Sequence, residues 1–387
     1  MLSQIAEITV MNLRNVSSRL GSSSVIVVGI AGVVGVLVGL LSMAAGFQAA
    51  LTNTSVPNRA IVMRDASNGE LSSNISRAES DVVSRLPGIT LASFELYTVA
   101  DINKKTTGKP ANVIVRGLGP NGLAVRPEVK VVAGRPFEPG KGEIMVGVKA
   151  ADQFEGLELG SRVDFRDSEW LVVGQFTAGG SAHESEVWVD LPVAQATFRR
   201  PGTTSSGRVL LKDPARAGEL AAAITADPRL DLSLQTEDEF YAAQSASQAA
   251  LINTFGYVVA VIMAVGAVFA ALNTMYTAVS ARTVEIATLR ALGFSGMPVV
   301  VSVLMEALIL ALLGGAIGGL IVYLVFDGYT ASTLNSASFS QVAFDFAVTG
   351  HLIRLGIAWA LGLGIIGGLF PAIRAARLPI TTALRGE

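Results

Sequence analysis

The chain has 387 residues, of which 51% are hydrophobic and only 16% are charged, so it is too apolar on average for an ordinary soluble domain. Its net charge of −2 gives no basis for binding a polyanion, and nucleic acid is therefore not an expected partner. The absence of cysteine excludes disulfides, thiolate metal sites and cysteine nucleophiles.

Four apolar segments are long enough, or nearly long enough, to cross a bilayer. A hydrocarbon core of about 30 Å needs about 20 apolar residues in a helix. The segments are Val25–Gly46, Leu251–Ser280, Val299–Phe326 and the shorter Leu355–Phe370. The first exceeds the apolar run of a typical signal peptide, so we interpret it as an uncleaved membrane span.

Basic residues are distributed unevenly around these spans. The connection at 327–350 has no Lys or Arg, whereas the other side carries Arg14, Arg19, Arg282, Arg290, Arg374, Arg377 and Arg385. Because basic loops stay in the cytoplasm, we expect both termini there and the region between the first and second spans outside. The predicted fold class is an α-helical membrane protein with four transmembrane helices and a large α+β extracytoplasmic domain between helices 1 and 2.

The chain divides into several predicted parts. Residues 1–50 hold the first span and, before it, a stretch predicted to be an amphipathic interfacial helix or, equally, a simple flank of the span. Strand-like and helical segments alternate at 51–116 and again at 202–245, which predicts one porter-like α+β subdomain built from both ends of the external region. Residues 117–201 are rich in Gly, Pro and short β-like runs and are predicted to form an inserted β-rich subdomain.

The second span is predicted to belong to an unusually long helix. Thr236 and Glu239 match a capping box, and nothing obviously breaks the helix before Ser280. A helix over Glu237–Ser280 would be about 65 Å long and would project beyond the bilayer into the external domain. Residues 246–387 then hold spans two to four, in which small-residue pairs such as Gly314/Gly318 predict close helix packing.

Few residues offer catalytic or cofactor chemistry. The sequence contains no Gly-x-x-x-x-Gly-Lys-Ser/Thr loop, so we expect no P-loop nucleotide site, and we predict no cofactor or metal in this chain. A G-x-G-x-x-G match at 362–367 lies inside a span and is interpreted as helix packing. His183, beside Glu184 and Glu186, is interpreted as part of a hydrogen-bonded turn with a folding or partner-contact role, with a metal or acid–base site as the alternative.

One acidic residue lies inside a span. Glu306 falls about 12 Å into the third span, counted from Pro298, and such residues are candidates for function. We expect it to hydrogen-bond across a helix interface, with Asn273 as a possible partner. A proton relay is less favoured, because the spans contain no other charged residue.

The connection between the second and third spans carries the most informative motif. Residues 281–293 predict a short, partly polar helix that ends at Gly293. The sequence TVEIATLRALG from Thr283 resembles the R-E-I-G-x-L-R-A-L-G signature of the MacB/FtsX/LolC-type permeases of ABC systems, with Ala287 at the usual glycine. EALILALLGGAIG from Glu306 is similar to the third span of that family, and PAIRAARLPITTALR is similar to its tail, with Thr382 where an acid is common.

The resemblance implies a non-catalytic permease subunit in the bacterial inner membrane, with a periplasmic external domain. ATP and Mg²⁺ would be bound by a separate cytoplasmic ATPase dimer, and motion would pass through the spans to the external domain. Further implied partners are membrane lipid, a second permease copy in a homodimer or heterodimer, a periplasmic adaptor and an outer-membrane channel. In the family the helix between these spans docks on the ATPase, which implies this role for Arg282, Glu285, Ile286, Leu289, Arg290, Leu292 and Gly293.

Two other functions stay open at this stage. An FtsX-like regulator of a periplasmic cell-wall hydrolase shares the membrane architecture, although an external domain of nearly 200 residues favours a transporter. A membrane-anchored enzyme acting through His183 is the third hypothesis. The sequence does not identify the substrate, and drugs, peptides, lipids and lipoproteins are all compatible with it.

Overall fold

The computed structural model describes residues 20–293, 295–335 and 338–377. The predicted N-terminal amphipathic helix, Thr382 and Arg385 lie outside the described residues. The chain divides into two compact units. The helical unit contains Leu251–Tyr329 with the chain up to Ala45 and from Ala347 onward, and the sheet unit contains Gly46–Ala250 with Thr330–Phe346.

Four of the helices in the described part of the chain are long and apolar enough to cross a membrane, and each contains one predicted span. The α-helices of the described residues are α1 (Leu20–Thr52), α2 (Arg77–Val83), α3 (Val148–Gln153), α4 (Leu191–Thr197), α5 (Ala217–Ala226), α6 (Glu237–Ser280), α7 (Thr283–Ala291), α8 (Gly296–Phe326) and α9 (Gly350–Arg377). The four candidate spans are α1, α6, α8 and α9.

Helix α6 confirms the prediction of one uninterrupted helix. It has 44 residues, which corresponds to about 66 Å at 1.5 Å per residue. Its capping box is also present, because the amide of Glu239 donates to Thr236 Oγ1 at 3.2 Å and the amide of Thr236 donates to Glu239 Oε2 at 3.1 Å. These two bonds satisfy donors that a helix start would otherwise leave unpaired.

Small residues bring the helices of the helical unit close together. A Cβ atom added at Gly318 of α8 would lie 2.5 Å from the carbonyl oxygen of Ala31 on α1. One added at Gly364 of α9 would lie 2.6 Å from Cβ of Ala311 on α8. Close packing is therefore confirmed at these positions, where only glycine fits. Gly39 differs, because no described atom lies within 4 Å of an added Cβ there.

The sheet unit is built around one mixed ten-stranded sheet. The strands among the described residues are β1 (Arg59–Arg64), β2 (Ile75–Ser76), β3 (Ile89–Asn103), β4 (Pro110–Leu118), β5 (Lys130–Gly134), β6 (Glu143–Gly147), β7 (Arg162–Phe165), β8 (Ser168–Thr177), β9 (Glu186–Asp190), β10 (Thr203–Thr204), β11 (Ser206–Leu211), β12 (Leu232–Thr236), β13 (Thr330–Asn335) and β14 (Ser340–Asp345). The strand order in the large sheet is β12-β1-β11-β3-β4-β9-β6-β8-β5, with β7 paired to β8.

The sheet joins sequence regions that were assigned to separate subdomains. Strand β1 lies between β11 and β12 and pairs antiparallel with both, so the two ends of the external region share one sheet. Strands β3 and β4 then continue this sheet into the β-rich region, through the parallel pairing of β4 with β9. The predicted boundary after residue 116 falls inside β4.

A hairpin between α8 and α9 belongs to the sheet unit and was not anticipated from the sequence. It consists of β13 and β14, which pair antiparallel from Thr330 with Asp345 to Asn335 with Ser340. Lys104, which directly follows β3, donates from Nζ to the side chains of Ser332 and Gln341 of the hairpin, in both cases at 3.0 Å. The hairpin therefore packs against the large sheet, whereas the sequence assigned residues 246–387 as a whole to spans two to four.

Candidate functional site

Helix α7 is short and ends where the sequence places a glycine. Glu285 lies in its first turn and Arg290 in its last, so both charges complement the helix dipole. The amide of Gly293 donates to the carbonyl oxygen of Arg290 at 3.1 Å, and Gly293 has a φ of 96°. Because glycine has no Cβ atom, it adopts this left-handed conformation readily and ends the helix.

The predicted ATPase-contact residues lie on two faces of this segment. Arg282 and Ile286 are buried, with 5% and 7% exposure, and Ile286 packs in the core of the helical unit. The outward face carries Val284, Glu285 and Leu292, of which Val284 is 55% and Leu292 73% exposed. The residues given this role by the family resemblance therefore do not share one face of the segment. Of the remaining residues, Leu289 and Arg290 are half-buried and Gly293 is exposed.

The buried face of the segment holds an ion pair with α8. Arg282 Nη1 lies 3.3 Å from Glu306 Oε2, and both side chains are buried. The two residues line a cavity of about 20 Å³ together with Glu285 and Ile286. The predicted hydrogen bond of Glu306 across a helix interface is thus formed with Arg282, rather than with the suggested Asn273, whose side chain is exposed on α6.

The other predicted positions lie on α8 and α9. A Cβ atom added at Gly314 would be 2.8 Å from the carbonyl oxygen of Val27, so this glycine, like Gly318, allows α8 to approach α1. Arg374 and Arg377 are exposed near the end of α9. The guanidinium of Arg374 lies 5.5 Å from the ring centre of Tyr276, within the range of a cation–π contact.

A second polar site lies in the sheet unit, at the start of α6. Glu237, the first residue of α6, is fully buried between two arginines that are also fully buried. Its Oε2 lies 2.7 Å from Nε of Arg59 on β1, and its Oε1 lies 3.2 Å from Nε of Arg208 on β11. The amide of Val56 also donates to Oε2, at 3.2 Å. The first turn of α6 is thereby held against two strands of the sheet.

The same site continues across the sheet through Arg116 of β4. Its Nε and Nη2 donate to the two oxygens of Glu186, each at 2.7 Å. Its Nη1 donates to Glu70 Oε1 at 2.8 Å and to Glu95 Oε2 at 3.2 Å. Arg126 completes the set by donating to Glu95 Oε2 at 2.7 Å. We call these paired side chains the charge cluster: Arg59, Glu70, Glu95, Arg116, Arg126, Glu186, Arg208 and Glu237.

Pairing with arginines keeps Glu70, Glu95 and Glu186 of the charge cluster ionised despite their burial. Burial alone would raise the pKa of Glu70, but the guanidinium groups of Arg116 and Arg208 outweigh it and lower the pKa to about 2. Burial likewise opposes ionisation of Glu186, and Arg116 and His183 together bring its pKa well below the usual value. Separating the two partners of such a pair would leave a buried charge uncompensated, which costs free energy. The pairs therefore hold a fixed geometry.

The His183 segment is a buried turn. Oε1 of Glu184 accepts hydrogen bonds from the Thr177 hydroxyl at 2.6 Å and from the amides of Ala178 and Gly180 at 2.8 and 2.9 Å. His183 is 1% exposed and packs edge-on against Trp188. Within the described part of the chain, no group of three or more His, Cys, Asp or Glu residues could hold a metal ion. These contacts agree with the interpretation of a hydrogen-bonded turn.

Sequence reasoning missed two features of these sites. Val284 was not among the predicted contact residues, although it lies two helical turns from Leu292 and could have been found by that spacing. The charge cluster was missed because its members are far apart in the sequence. A weak signal exists, since Arg59, Arg116 and Arg208 each stand inside or beside a run of apolar strand residues.

Comparison with known families identifies the architecture. Residues 23–227, more than half of the chain, match the MacB-like periplasmic core domain, and residues 257–380 match the FtsX-like permease C-terminal domain. The chain is an ABC transporter permease of the MacB/FtsX type. The first match covers most of the sheet unit, and the second contains α7 and the Arg282–Glu306 pair.

Curated relatives of this permease share moderate identity. It is 26% identical over 211 residues to the uncharacterized ABC transporter permease YknZ of Bacillus subtilis, covering 52% of this chain and 50% of that protein. It is 28% identical over 240 residues to the pyoverdine export ATP-binding/permease protein PvdT of Pseudomonas entomophila, covering 59% of this chain and 35% of that protein. The permease thus spans half or less of the length of these relatives.

Two solved structures align with slightly less than half of the chain. The periplasmic region of MacB from Actinobacillus actinomycetemcomitans aligns with a TM-score of 0.37 and 13% identity, covering 47% of this chain and 90% of that structure. The extracellular domain of YknZ aligns with a TM-score of 0.36 and 14% identity, covering 46% and 100%.

Proposed function

We propose that the permease converts ATP hydrolysis by a partner ATPase into movement of the sheet unit, which exports or extracts a substrate. In this mechanism, mechanotransmission, the substrate need not cross the bilayer through the permease. The ATP and Mg²⁺ belong to the partner, as the family of the permease implies. In this proposal the ATPase moves α7, and the movement is transmitted through the spans to the sheet unit.

The observation that carries this proposal is the two-faced arrangement of α7. Its outward face presents Val284, Glu285 and Leu292, a small apolar patch with one charge, which suits a protein contact. Its inward face is tied to α8 by the ion pair between Arg282 and Glu306. A partner that moves the outward face would therefore move α8 as well.

The other end of the proposed path is the charge cluster. Helix α6 is continuous over 44 residues, so a displacement along its axis would reach its first turn. There Glu237 is paired with Arg59 and Arg208, which belong to β1 and β11 of the large sheet. These contacts would pass the displacement to the sheet rather than let the helix slide.

The remaining parts of the assembly follow from the family and from charge. The distribution of Arg residues supports an inner-membrane protein with cytoplasmic termini and a periplasmic sheet unit. We further propose a dimer of permeases, a homodimer in the simplest case, on an ATPase dimer. A periplasmic adaptor and an outer-membrane channel would complete an export system.

A charge placed on the outward face of α7 tests the docking assignment. Val284→Asp should reduce copurification of the ATPase, and the ATPase stimulation by the permease, by about tenfold or more, because a buried interface contact would be replaced by an unpaired charge. Val132→Asp on β5 is the matched control, since Val132 is also 55% exposed but lies in the sheet unit. Glu285→Lys and Arg290→Glu should act in the same direction as Val284→Asp.

Two outcomes would contradict the assignment. If the Val284→Asp permease still copurifies with a fully stimulated ATPase, α7 is not the docking element. If Val132→Asp lowers the stimulation equally, the effect is not specific to α7. Thermal unfolding of each variant should match that of the unmodified chain, since both sites are exposed.

Regulation of a periplasmic hydrolase is the competing function. The sheet unit contains Gly46–Ala250 with a ten-stranded sheet, which is larger than a minimal hydrolase-binding domain needs to be and supports transport. Proteins crosslinked to the sheet unit in cells separate the two functions. An adaptor and a channel component are expected, whereas recovery of a cell-wall hydrolase alone would favour regulation.

A further inference from the structure

A small cavity lies beside the charge cluster, inside the sheet unit. Its volume is about 20 Å³, which exceeds the 10–15 Å³ needed for one water molecule. Three parts of the chain meet around it. They are the end of α1 through Leu51, the first turns of α6 through Tyr241, and the turn between β13 and β14 through Ser338.

His183 lines this cavity and lacks a well-formed hydrogen bond. Neither ring nitrogen has a hydrogen-bond partner of good geometry among the described residues, although the side chain is 1% exposed. Its Nδ1 lies 3.2 Å from Oε1 of Glu186, close enough for an N–H group at Nδ1 to be favoured there. In that tautomer Nε2 is an acceptor, and leaving it unpaired in the interior is costly.

Tyr241 lines the same cavity with an incomplete set of hydrogen bonds. Its hydroxyl oxygen accepts from Arg208 Nη2 at 2.9 Å, and no described residue is seen to accept its hydroxyl proton. A phenol can donate one bond as well as accept, and its proton is therefore available to a molecule in the cavity. The cavity is thus lined by one residue with an unused acceptor, His183, and by one residue with an unused donor, Tyr241.

The charges around the cavity favour a neutral occupant. Arg116 is paired with Glu70, Glu95 and Glu186, so the charged side chains that line the cavity already have partners. An added ion would sit near charges of both signs without a dedicated counter-ion. A water molecule can donate to one group and accept from another, and it fits the volume.

We propose that this cavity binds one ordered water molecule, which donates to Nε2 of His183 and accepts from the hydroxyl of Tyr241. The water links the buried turn at 182–185 to the first turns of α6. His183 is then a positioning residue for the start of α6, acting through the water. This link adds to the direct ion pairs of Glu237 and does not depend on any partner protein.

A double-mutant cycle on the full chain in lipid nanodiscs tests the shared water. Amide hydrogen exchange of residues 237–244 is compared in the wild type, His183→Leu, Tyr241→Phe and the double variant. Each single variant should raise the exchange rate about tenfold, because one buried hydrogen-bond link is lost. The double variant should exchange no faster than the faster single variant, because both lose the same water. Tyr241→Phe also removes the acceptor for Arg208, but this effect is present in both backgrounds and cancels in the cycle.

A conservative variant and a density map complete the test. His183→Gln should restore slow exchange to within about threefold of wild type, because its amide can still bind the water. A map of the wild-type chain at about 2 Å resolution should show a peak within hydrogen-bond distance of His183 and Tyr241. Effects that multiply in the double variant, unchanged exchange in His183→Leu, or an empty cavity in the map would each overturn the proposal.

Discussion

The helical unit and the sheet unit are stabilised by different means. In the helical unit, glycine and alanine bring the helices into contact, as at Gly318 against Ala31, and the ion pair of Arg282 with Glu306 lies at one buried position. In the sheet unit, the charge cluster places four arginines with at most 1% exposure among buried glutamates. The helical unit therefore depends mainly on close packing of helix backbones, and the sheet unit depends more on buried ion pairs.

The difference reflects the two solvents. Lipid tails are as apolar as a leucine side chain, so helices surrounded by lipid gain little hydrophobic free energy when they associate. Close approach of the backbones at small residues supplies van der Waals contacts instead. Water drives apolar strand faces together without selecting one arrangement among many. In the sheet unit, the charge cluster adds directional contacts between strands, and the same cluster holds the first turn of α6.

The largest expected effect is the loss of Arg116. Arg116→Met leaves Glu70, Glu95 and Glu186 with a missing partner in the interior and should lower the free energy of unfolding of the sheet unit by about 3–5 kcal/mol. Chemical denaturation followed by the fluorescence of the buried Trp170 and Trp188 measures it. Arg162→Met is the control, because Arg162 forms an exposed pair with Glu169 that contributes less than about 1 kcal/mol. Equal effects of the two variants would show that the charge cluster does not stabilise the unit.

A smaller effect is expected from adding a methyl group in the helical unit. Gly318→Ala would place Cβ 2.5 Å from the Ala31 carbonyl oxygen, and we expect a loss of about 1–3 kcal/mol from the forced separation of α8 and α1. Gly39→Ala meets no described atom within 4 Å and should be neutral or stabilising by up to about 1 kcal/mol. Thermal unfolding in detergent compares the pair, and a destabilised Gly39→Ala variant would argue against these packing distances.

The smallest effect concerns pH and His183. Burial lowers the pKa of His183 below 6.5, with Arg126 and Arg116 acting in the same direction and Glu186 opposing them. The unfolded chain then binds the proton more readily, so the free energy of unfolding should fall as pH drops below about 6.5, by at most about 1.4 kcal/mol per pH unit. His183→Gln should remove this slope between pH 7 and pH 5. Folding lowers the pKa of Glu70 from 4.5 to about 2, so the contribution of Glu70 is lost only as the pH falls below about 5. An identical slope in the variant would mean that His183 is not the group that titrates.

Much of the fold could be predicted because its signals are local. Each span is one continuous apolar run, and the start of α6 is marked by Thr236 and Glu239, which are three residues apart. Gly293 likewise marks the end of α7 through its own conformation. The orientation of α7 could not be predicted, because Arg282 resembles any polar loop residue until Glu306, 24 positions later, is placed beside it.

The amino-acid sequence by itself determined four apolar helices, a long capped α6, a short helix between the second and third spans, and a family signature around that helix. These depend on spacing within a few residues, which helix and bilayer geometry dictate. Only the tertiary structure decided the charge cluster, the docked hairpin and the inward face of α7. Glu70 and Arg208 are 138 positions apart, and their pairing depends on the strand order of the completed sheet.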